Sequence, residues 1–416
     1  MSEFRKKAFQ LIITLGIISL LGDIIYEGAR GVSGQYLQIL GVNAATVGFI
    51  VGLGELLGYL FRFASGFFAD KTKSYWLFTI VGYGLLISIP LISLTGIWQV
   101  VAVLIILERI GKGIRTPARD TIASHASKQI GSGYAFGIAE FIDQIGAIIG
   151  PLIFSFVLVR VVSGQNLIAT YQQGFSFTWI PYVLLLGILW FAYTQFKNSE
   201  ELETVVQQKG NNEKELPKVF WLYALFVFIT TVGFISFALV GFHLKEYGIL
   251  NDAYIPLLYA VAIGGVDAIV GLAVGKLYDK INKRSGNHKS GLVLLLAIPI
   301  SAALIPIFIF SKTLVFIIIG TVLFGFGMGL QEVIMKAAVA DMTPLAKRST
   351  AYGIFNLSLG LAFFVGGTLA GFLYDYSIPI LIIFLTTVEL MAIPVFYIMK
   401  KEIKNLPPKN KICKIF

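Results

Sequence analysis

The 416 residues are 56% hydrophobic and 13% charged, with a mean hydropathy of +0.81. A water-soluble globule cannot hide so much apolar surface, so this composition requires a bilayer as its solvent. The net charge of +10 would suit nucleic acid, but the cations are spread over short loops and a tail without forming a groove-sized patch, so no nucleic-acid partner is expected and anionic membrane lipid accounts for them better.

A helix needs roughly 20 apolar residues to cross hydrocarbon and must satisfy its own backbone there, and by that measure about twelve segments qualify. They run from Ala8 to Leu40, Ala44 to Phe68, Trp76 to Leu94, Ile97 to Pro117, Tyr134 to Val159 and Phe177 to Phe196. The second set runs from Val219 to Gly241, Ala253 to Val274, Gly291 to Phe310, Leu314 to Ala338, Tyr352 to Leu373 and Pro379 to Met399. The expected fold class is an all-α membrane protein. The first stretch continues into Asp23 and Glu27 without a small-residue cleavage site, so it is read as a span and not as a removable signal.

Lysine and arginine flanking the spans tend to stay in the cytoplasm. Arg5, Lys71, Lys73, Lys197, Lys218, Lys280, Lys283, Arg284, Lys347 and Lys400 fall on one side, while the opposite loops hold little beyond Arg160, Lys245 and Lys312. Both termini are therefore expected in the cytoplasm, in a multi-pass protein of the cell membrane. The polar stretch 197–218 reads as a cytoplasmic linker between helical bundles at 1–196 and 219–399, with a basic tail at 400–416.

Repetition supports two related halves. Gly66-Phe-Phe-Ala-Asp70-Lys71 returns as Gly275-Lys-Leu-Tyr-Asp279-Lys280, in each case after the second span of its half. Gly111-x-Gly113-Ile-Arg115 matches Gly327-x-Gly329-Leu-Gln331, and Ala135-Phe136-Gly137-Ile138 matches Ala351-Tyr352-Gly353-Ile354 at the same offset. Two blocks in one register indicate internal duplication.

Six spans, a linker and six related spans with these loop motifs resemble the major facilitator superfamily over nearly the whole chain. The stretch Gly66 to Lys73 is similar to that family's loop between spans two and three, with Lys73 and Ser74 in place of its usual glycine and basic residue. Arg109 followed by Gly113 is similar to the fourth-span pattern of its proton-coupled drug exporters. Gly146-x-x-x-Gly150-Pro151 is similar to the fifth-span antiporter motif, although Phe154 and Ser155 replace its closing glycines. A narrower likeness, from Glu108 through Asp120 and on to Pro151, is to drug-efflux-like permeases of prokaryotes. The resemblance implies two pseudo-symmetric six-helix bundles rocking around a midplane site. It further implies that Asp70 docks on the start of span eleven, near Ser349 to Ala351, when the site faces outward; Lys71 and Lys73 belong to the same gate, with Gly275, Asp279 and Lys280 as its weaker counterpart. A monomer is expected.

Charged groups within a bilayer are costly and usually face a cavity. Asp23, Glu27 and Arg30 share one face of span one, and Gly28, Gly31 and Gly34 beyond them predict a kink or unwound turn. Glu108, Lys112, Arg115 and Arg119 form a stripe on span four beside Arg109 and Asp120. Glu140 and Asp143 follow on span five next to Gly146, Gly150 and Pro151, where glycines permit a close helix contact. Glu55, Asp267 and Glu332 are further intramembrane acids. Desolvation and a nearby arginine act oppositely on a carboxyl, so motion that changes either changes protonation. Asp23, Glu27, Asp143 and Glu140 are the candidate proton carriers. Arg30, Glu55, Glu108, Arg109, Lys112, Arg115, Asp267 and Glu332 are candidates to line the substrate cavity.

The expected function is secondary active transport of a small molecule, with proton-coupled export preferred, proton-coupled uptake as the alternative and a transporter-like sensor as a third reading. An enzyme is not expected: His125, His243 and His288 are scattered without metal-ligand spacing, and no phosphate-cradling loop is present. The lone Cys413 excludes a disulfide framework and a multi-thiolate site, so no cofactor or metal is expected.

Overall fold

The computed structural model describes residues 3–130, 132–160, 166–198, 216–285, 290–343 and 347–404. Most of the linker, the tail beyond 404, and the side chains of Glu140 and Ser349 lie outside the described residues. Among the described residues there is no strand.

In chain order the helices are α1 (Glu3–Ile39), α2 (Ala44–Thr72), α3 (Tyr75–Leu94), α4 (Trp98–Ile130), α5 (Ser132–Leu158) and α6 (Leu167–Phe196). They continue as α7 (Lys218–Glu246), α8 (Tyr254–Arg284), α9 (Ser290–Ile309), α10 (Leu314–Met342), α11 (Arg348–Tyr376) and α12 (Ile378–Lys404). All but α4 are long and apolar enough to be counted as membrane spans. Only its charges, from Glu108 to Asp120, set α4 apart, and its length of 33 residues is ample.

Local chemistry explains where the helices depart from the expected spans. α6 begins at Leu167, earlier than hydropathy suggested, because the Asn166 side chain caps it by accepting from Ile168 N at 3.1 Å. α4 runs through Pro117, where the expected span ended, as far as Ile130. A proline has no N–H for the carbonyl one turn back, and that carbonyl, of Gly113, instead accepts from Ser65 Oγ at 3.1 Å.

No unwound turn interrupts α1, contrary to the sequence expectation. Its glycines serve as contact surfaces: a Cβ on Gly28 would stand 3.0 Å from the Gly150 carbonyl, and one on Gly34 would overlap the Ala238 carbonyl. Glycine weakens a helix by about 1 kcal/mol, and here the closeness of neighbouring backbones offsets that. In the first half α3 contains 3₁₀ stretches at Leu85–Ile87 and Ile92–Leu94 and α6 turns at Thr178; the second half departs further. α7 breaks between Val232 and Phe237, while α8 and α10 each contain a π-helical stretch, Ala260–Asp267 and Gln331–Met335.

The packing repeats. Within the first half α1 packs on α5 and α6, and α4 on α2 and α3; within the second α7 packs on α11 and α12, and α10 on α8 and α9. Every pair recurs six helices later, the signature of two pseudo-symmetric six-helix bundles. The contacts between bundles obey the same symmetry, with α2 on α11, α5 on α8 and α1 on α7.

These interbundle contacts gather toward the end of the molecule where α1 finishes. There Gln38 Nε2 donates to Glu246 at 2.6 Å, Ser155 Oγ donates to the Ala253 carbonyl at 2.7 Å, and Gly48 meets the Gly367 carbonyl. Asp375, at the end of α11, accepts from the first backbone N–H groups of α2, Ala44 at 3.2 Å and Ala45 at 2.8 Å. Toward the opposite end α2 and α11 remain in touch as far as Phe63 and Gly353.

Candidate functional site

Three helices of the first bundle and one of the second build a polar cluster deep in the span. Arg30 of α1 donates from Nη2 to Glu55 Oε1 of α2 at 2.8 Å, and its Nη1 lies 3.6 Å from Glu27 Oε1. Arg109 Nε of α4 is 3.6 Å from the same Glu55 oxygen and 3.3 Å from Glu108 Oε2. Arg115 Nη2 extends the chain, 3.9 Å from Glu108 Oε1. Acid and base thus alternate from Glu27 through Arg30, Glu55, Arg109 and Glu108 to Arg115. Glu108 is 2% exposed and Arg109 8%, burial at which an unpaired charge would be prohibitive. Alternation gives each interior member two opposite charges.

Aromatic side chains frame the cations. Arg115 lies 5.0 Å from the Tyr83 ring centre and 5.6 Å from that of Tyr26, so it is locked inside the bundle and does not snorkel to an interface. Lys112 stands outside the alternation: its Nζ sits 3.9 Å over the Tyr26 ring, and no carboxylate of the described residues comes within ion-pair distance. Arg119 forms a separate layer, donating from Nη1 to Ser19 Oγ at 2.6 Å and pairing with Asp120 at 2.9 Å.

Gly146 and Gly150 press α5 against α1, as their spacing suggested. Their missing Cβ atoms would meet the Leu20 and Ile24 carbonyls at 2.4 Å, and Gly146 also abuts Asp23. Asp23 thereby comes within electrostatic reach of Asp143 on α5 and of Lys112 and Arg119 on α4. The second bundle contributes Tyr259, whose hydroxyl donates to a Glu27 carboxylate oxygen.

Asp267 and Glu332 do not join the chain of ion pairs. Asp267 is buried at the end of the α8 π-helical stretch, against Gly329 of α10, and Glu332 is exposed within that of α10. Of the gate residues, Gly66 lies against Pro117, Gly275 faces Val333, and Asp70 is exposed and accepts from the Tyr75 hydroxyl at 3.1 Å. Lys73 ends α2 in the left-handed conformation, φ 56°, and points Nζ to the Tyr75 hydroxyl at 3.4 Å. Lys71, Asp279 and Lys280 are at least partly exposed on the same side of the molecule. Three contributors were not singled out from sequence: Tyr83, Ser19 and Arg62, which lies 5.2 Å from the Tyr59 ring centre. Arg62 had a signal, its seven-residue spacing from Glu55 on one helical face.

The family model of the Major Facilitator Superfamily matches residues 12–330 and 283–412. The chain belongs to the major facilitator superfamily. It is similar to an uncharacterized protein of Mycobacterium tuberculosis, 35% identical over 395 residues that cover 94% of this chain and 93% of the relative. An uncharacterized MFS-type transporter of Methanocaldococcus jannaschii is 26% identical over 384 residues, covering 90% and 91%. Among solved structures, a bacterial homologue of the human lysosomal transporter Spinster, in an inward-facing and unoccupied conformation, superposes with a TM-score of 0.71 at 16% identity, covering 98% of this chain and 100% of that one. A POT family transporter in complex with a thioalcohol-conjugated peptide gives 0.73 at 15% identity, covering 94% and 96%. The facilitator fold is shared, and the protein is a multi-pass membrane transporter and not an enzyme.

Proposed function

We propose that this facilitator exports a small molecule across the cell membrane in exchange for protons, by alternating access between its two bundles. The observation that carries this reading is the Tyr259–Glu27 hydrogen bond, which joins the second bundle to the chain of ion pairs in the first. Rocking of the bundles breaks or makes this bond, so the charge environment of Glu27 changes with conformation. Asp23, within electrostatic reach of Asp143 and of Lys112, offers a neighbouring place where a proton and a cargo compete. Guanidinium groups stay charged, so Arg30, Arg109 and Arg115 set the field and do not carry the proton.

With both termini in the cytoplasm, the end clasped by Asp375 is the outer one and the conformation described is closed outward. Arg30, Glu55, Glu108, Arg109, Lys112, Arg115, Asp267 and Glu332 are the residues proposed to border the cavity on the way in. Gly66, Asp70, Lys71 and Lys73, with Gly275, Asp279 and Lys280, form the proposed inner gate, and Asp70 stands undocked and exposed in the present state. The bundles proposed for 1–196 and 219–399 are the rocking bodies.

The test is proton release from acid-loaded inverted vesicles on addition of compounds from a small-molecule panel. Compound-dependent release in the wild type, lost in Asp23→Asn, Glu27→Gln or Asp143→Asn, supports exchange. Uptake driven by a gradient of the opposite sense would establish symport instead, and three unimpaired variants would remove proton coupling from this cluster.

A further inference from the structure

The second bundle holds an acid that the ion-pair cluster does not touch. Glu389, midway along α12, is 0% exposed, and among the described residues neither of its carboxyl oxygens has a hydrogen-bond partner. It lies against the break in α7: a Cβ on Gly233 would stand 2.7 Å from Glu389 Cγ and 2.9 Å from its Oε1. Two residues earlier, the buried Thr231 hydroxyl is likewise without a partner. Three unsatisfied oxygens around one helix interruption are costly to maintain, and a structural role would have been met more cheaply by leucine.

Among the described residues no cation pairs with Glu389. α9 carries no titratable residue; those of α7 (Lys218, Tyr223, His243, Lys245 and Glu246) and of α11 (Arg348, Tyr352, Tyr374, Asp375 and Tyr376) lie toward the helix ends. On α12 itself Tyr397, Lys400, Lys401, Glu402 and Lys404 lie two turns or more beyond Glu389. Tyr223 is occupied by the Met335 carbonyl at 2.6 Å and His243 by the Tyr374 hydroxyl at 2.9 Å. A bare carboxylate is not sustainable in such surroundings, so in this conformation the group is held as the neutral acid.

The break also leads to the cluster. Phe234 packs on Phe324 with ring centres 5.2 Å apart, and Phe237, where α7 resumes, packs on Tyr259 at 4.7 Å. Tyr259 is the residue that donates to Glu27. Four residues of interrupted helix, Gly233 to Ser236, therefore lie between a dry acid and the hydrogen bond that ties the bundles at the cluster.

We propose that Glu389 is a second proton-binding site, that it loses its proton when α7 straightens and admits water, and that the break in α7 transmits this event to the Tyr259–Glu27 contact. The proposal deepens the proton-coupled reading and rests on it only for the direction of cargo movement.

The experiment is difference infrared spectroscopy of the purified protein in lipid across a pH titration, paired with distance distributions between spin labels on the two bundles. In the wild type the carbonyl band of a dry, non-hydrogen-bonded carboxylic acid should be present and should disappear as the bundles change their spacing. Glu389→Gln should lose that band and the pH response of the distances together, and Glu389→Asp should retain a shifted band, which separates titration from misfolding. A band that persists in Glu389→Gln, a band abolished by sodium at constant pH, or a Glu389→Gln distance response equal to the wild type would each overturn the proposal. Asp23→Asn and Glu27→Gln distinguish the two readings. If they abolish compound-dependent proton release while Glu389→Gln keeps the wild-type distance response, this inference fails and the first stands. If they leave release intact and Glu389→Gln alone removes the pH response, the reverse holds.

Discussion

In the first bundle Glu108 is 2% exposed and lies between Arg109 and Arg115; in the second, Glu389 is 0% exposed, lies against Gly233 and has no hydrogen-bond partner among the described residues. Both are acids deep in a membrane span, and the protein keeps them by opposite means. The first is kept by pairing, which fixes α1, α2 and α4 to one another. The second is kept by neutrality, which leaves its surroundings free to move. The first helices of the two halves differ in the same way: α1 is unbroken, whereas its counterpart α7 is interrupted, and α8 and α10 beside it contain π-helical stretches. Such stretches often accompany functional sites. The comparison assigns a fixed network of ion pairs to the first bundle and compliance to the second.

The hardest test of that division is to remove each acid. Glu108→Ala leaves the buried Arg115 guanidinium without its carboxylate and Arg109 with Glu55 alone, and should destabilise the protein by about 3–5 kcal/mol, seen as a large drop in thermal unfolding temperature in lipid–detergent micelles. Glu389→Gln breaks no pair and should cost about 1 kcal/mol or less. Equal costs would dissolve the contrast.

A smaller effect is expected where the bundles meet. Tyr259→Phe deletes a hydrogen bond to a charged group, a loss of about 1.5–3 kcal/mol. It should widen the distribution of distances between labelled bundles without lowering the stability of the first bundle toward protease. At the closed end, Asp375→Asn removes the charge that faces the start of α2, worth about 1 kcal/mol. Roughly a fivefold gain in the population open at that end should follow, read from the same distances. Asp70→Asn should produce the smallest change, in the opposite sense, because Asp70 is exposed in the present state and its proposed docking belongs to the other. A shift of the same sign for both aspartates would show that the two ends are not reciprocal.

Much of the architecture is legible in residue order. Apolar runs place most span boundaries to within a turn or two, missing by about three turns the start of α6 and the ends of α4 and α8, where polar residues continue the helix. The paired Gly-x-x-x-Asp-Lys stretches, which lie in the last turns of α2 and α8, announce the duplication. The ion-pair cluster is legible because Glu27 with Arg30, and Glu108 with Lys112 and Arg115, stand at helical spacings that bring opposite charges to one face. Residue order conveys less where the cause is tertiary. Gly28, Gly31 and Gly34 look like a hinge, yet they fill an interface because Gly150, Tyr259 and Ala238 approach them. The true interruption, from Gly233 to Ser236, contains no proline and is mostly apolar, so nothing local marks it. Glu389 carries as clear a hydropathic signal as Glu55, a single acid within an apolar run. It lacks a base at helical spacing, and without one its solitude becomes visible only when α7, α9 and α11 are packed around it.

The clasp at Asp375 has a consequence for tuning. Any helix whose first residues are not proline presents free N–H groups at its start, so α2 needs to keep no particular side chain for this contact. The dwell time of the shut end is therefore adjustable through one side chain on α11, in steps smaller than the cost of disturbing the buried arginines, and transport speed can drift among relatives while the polar centre is left untouched.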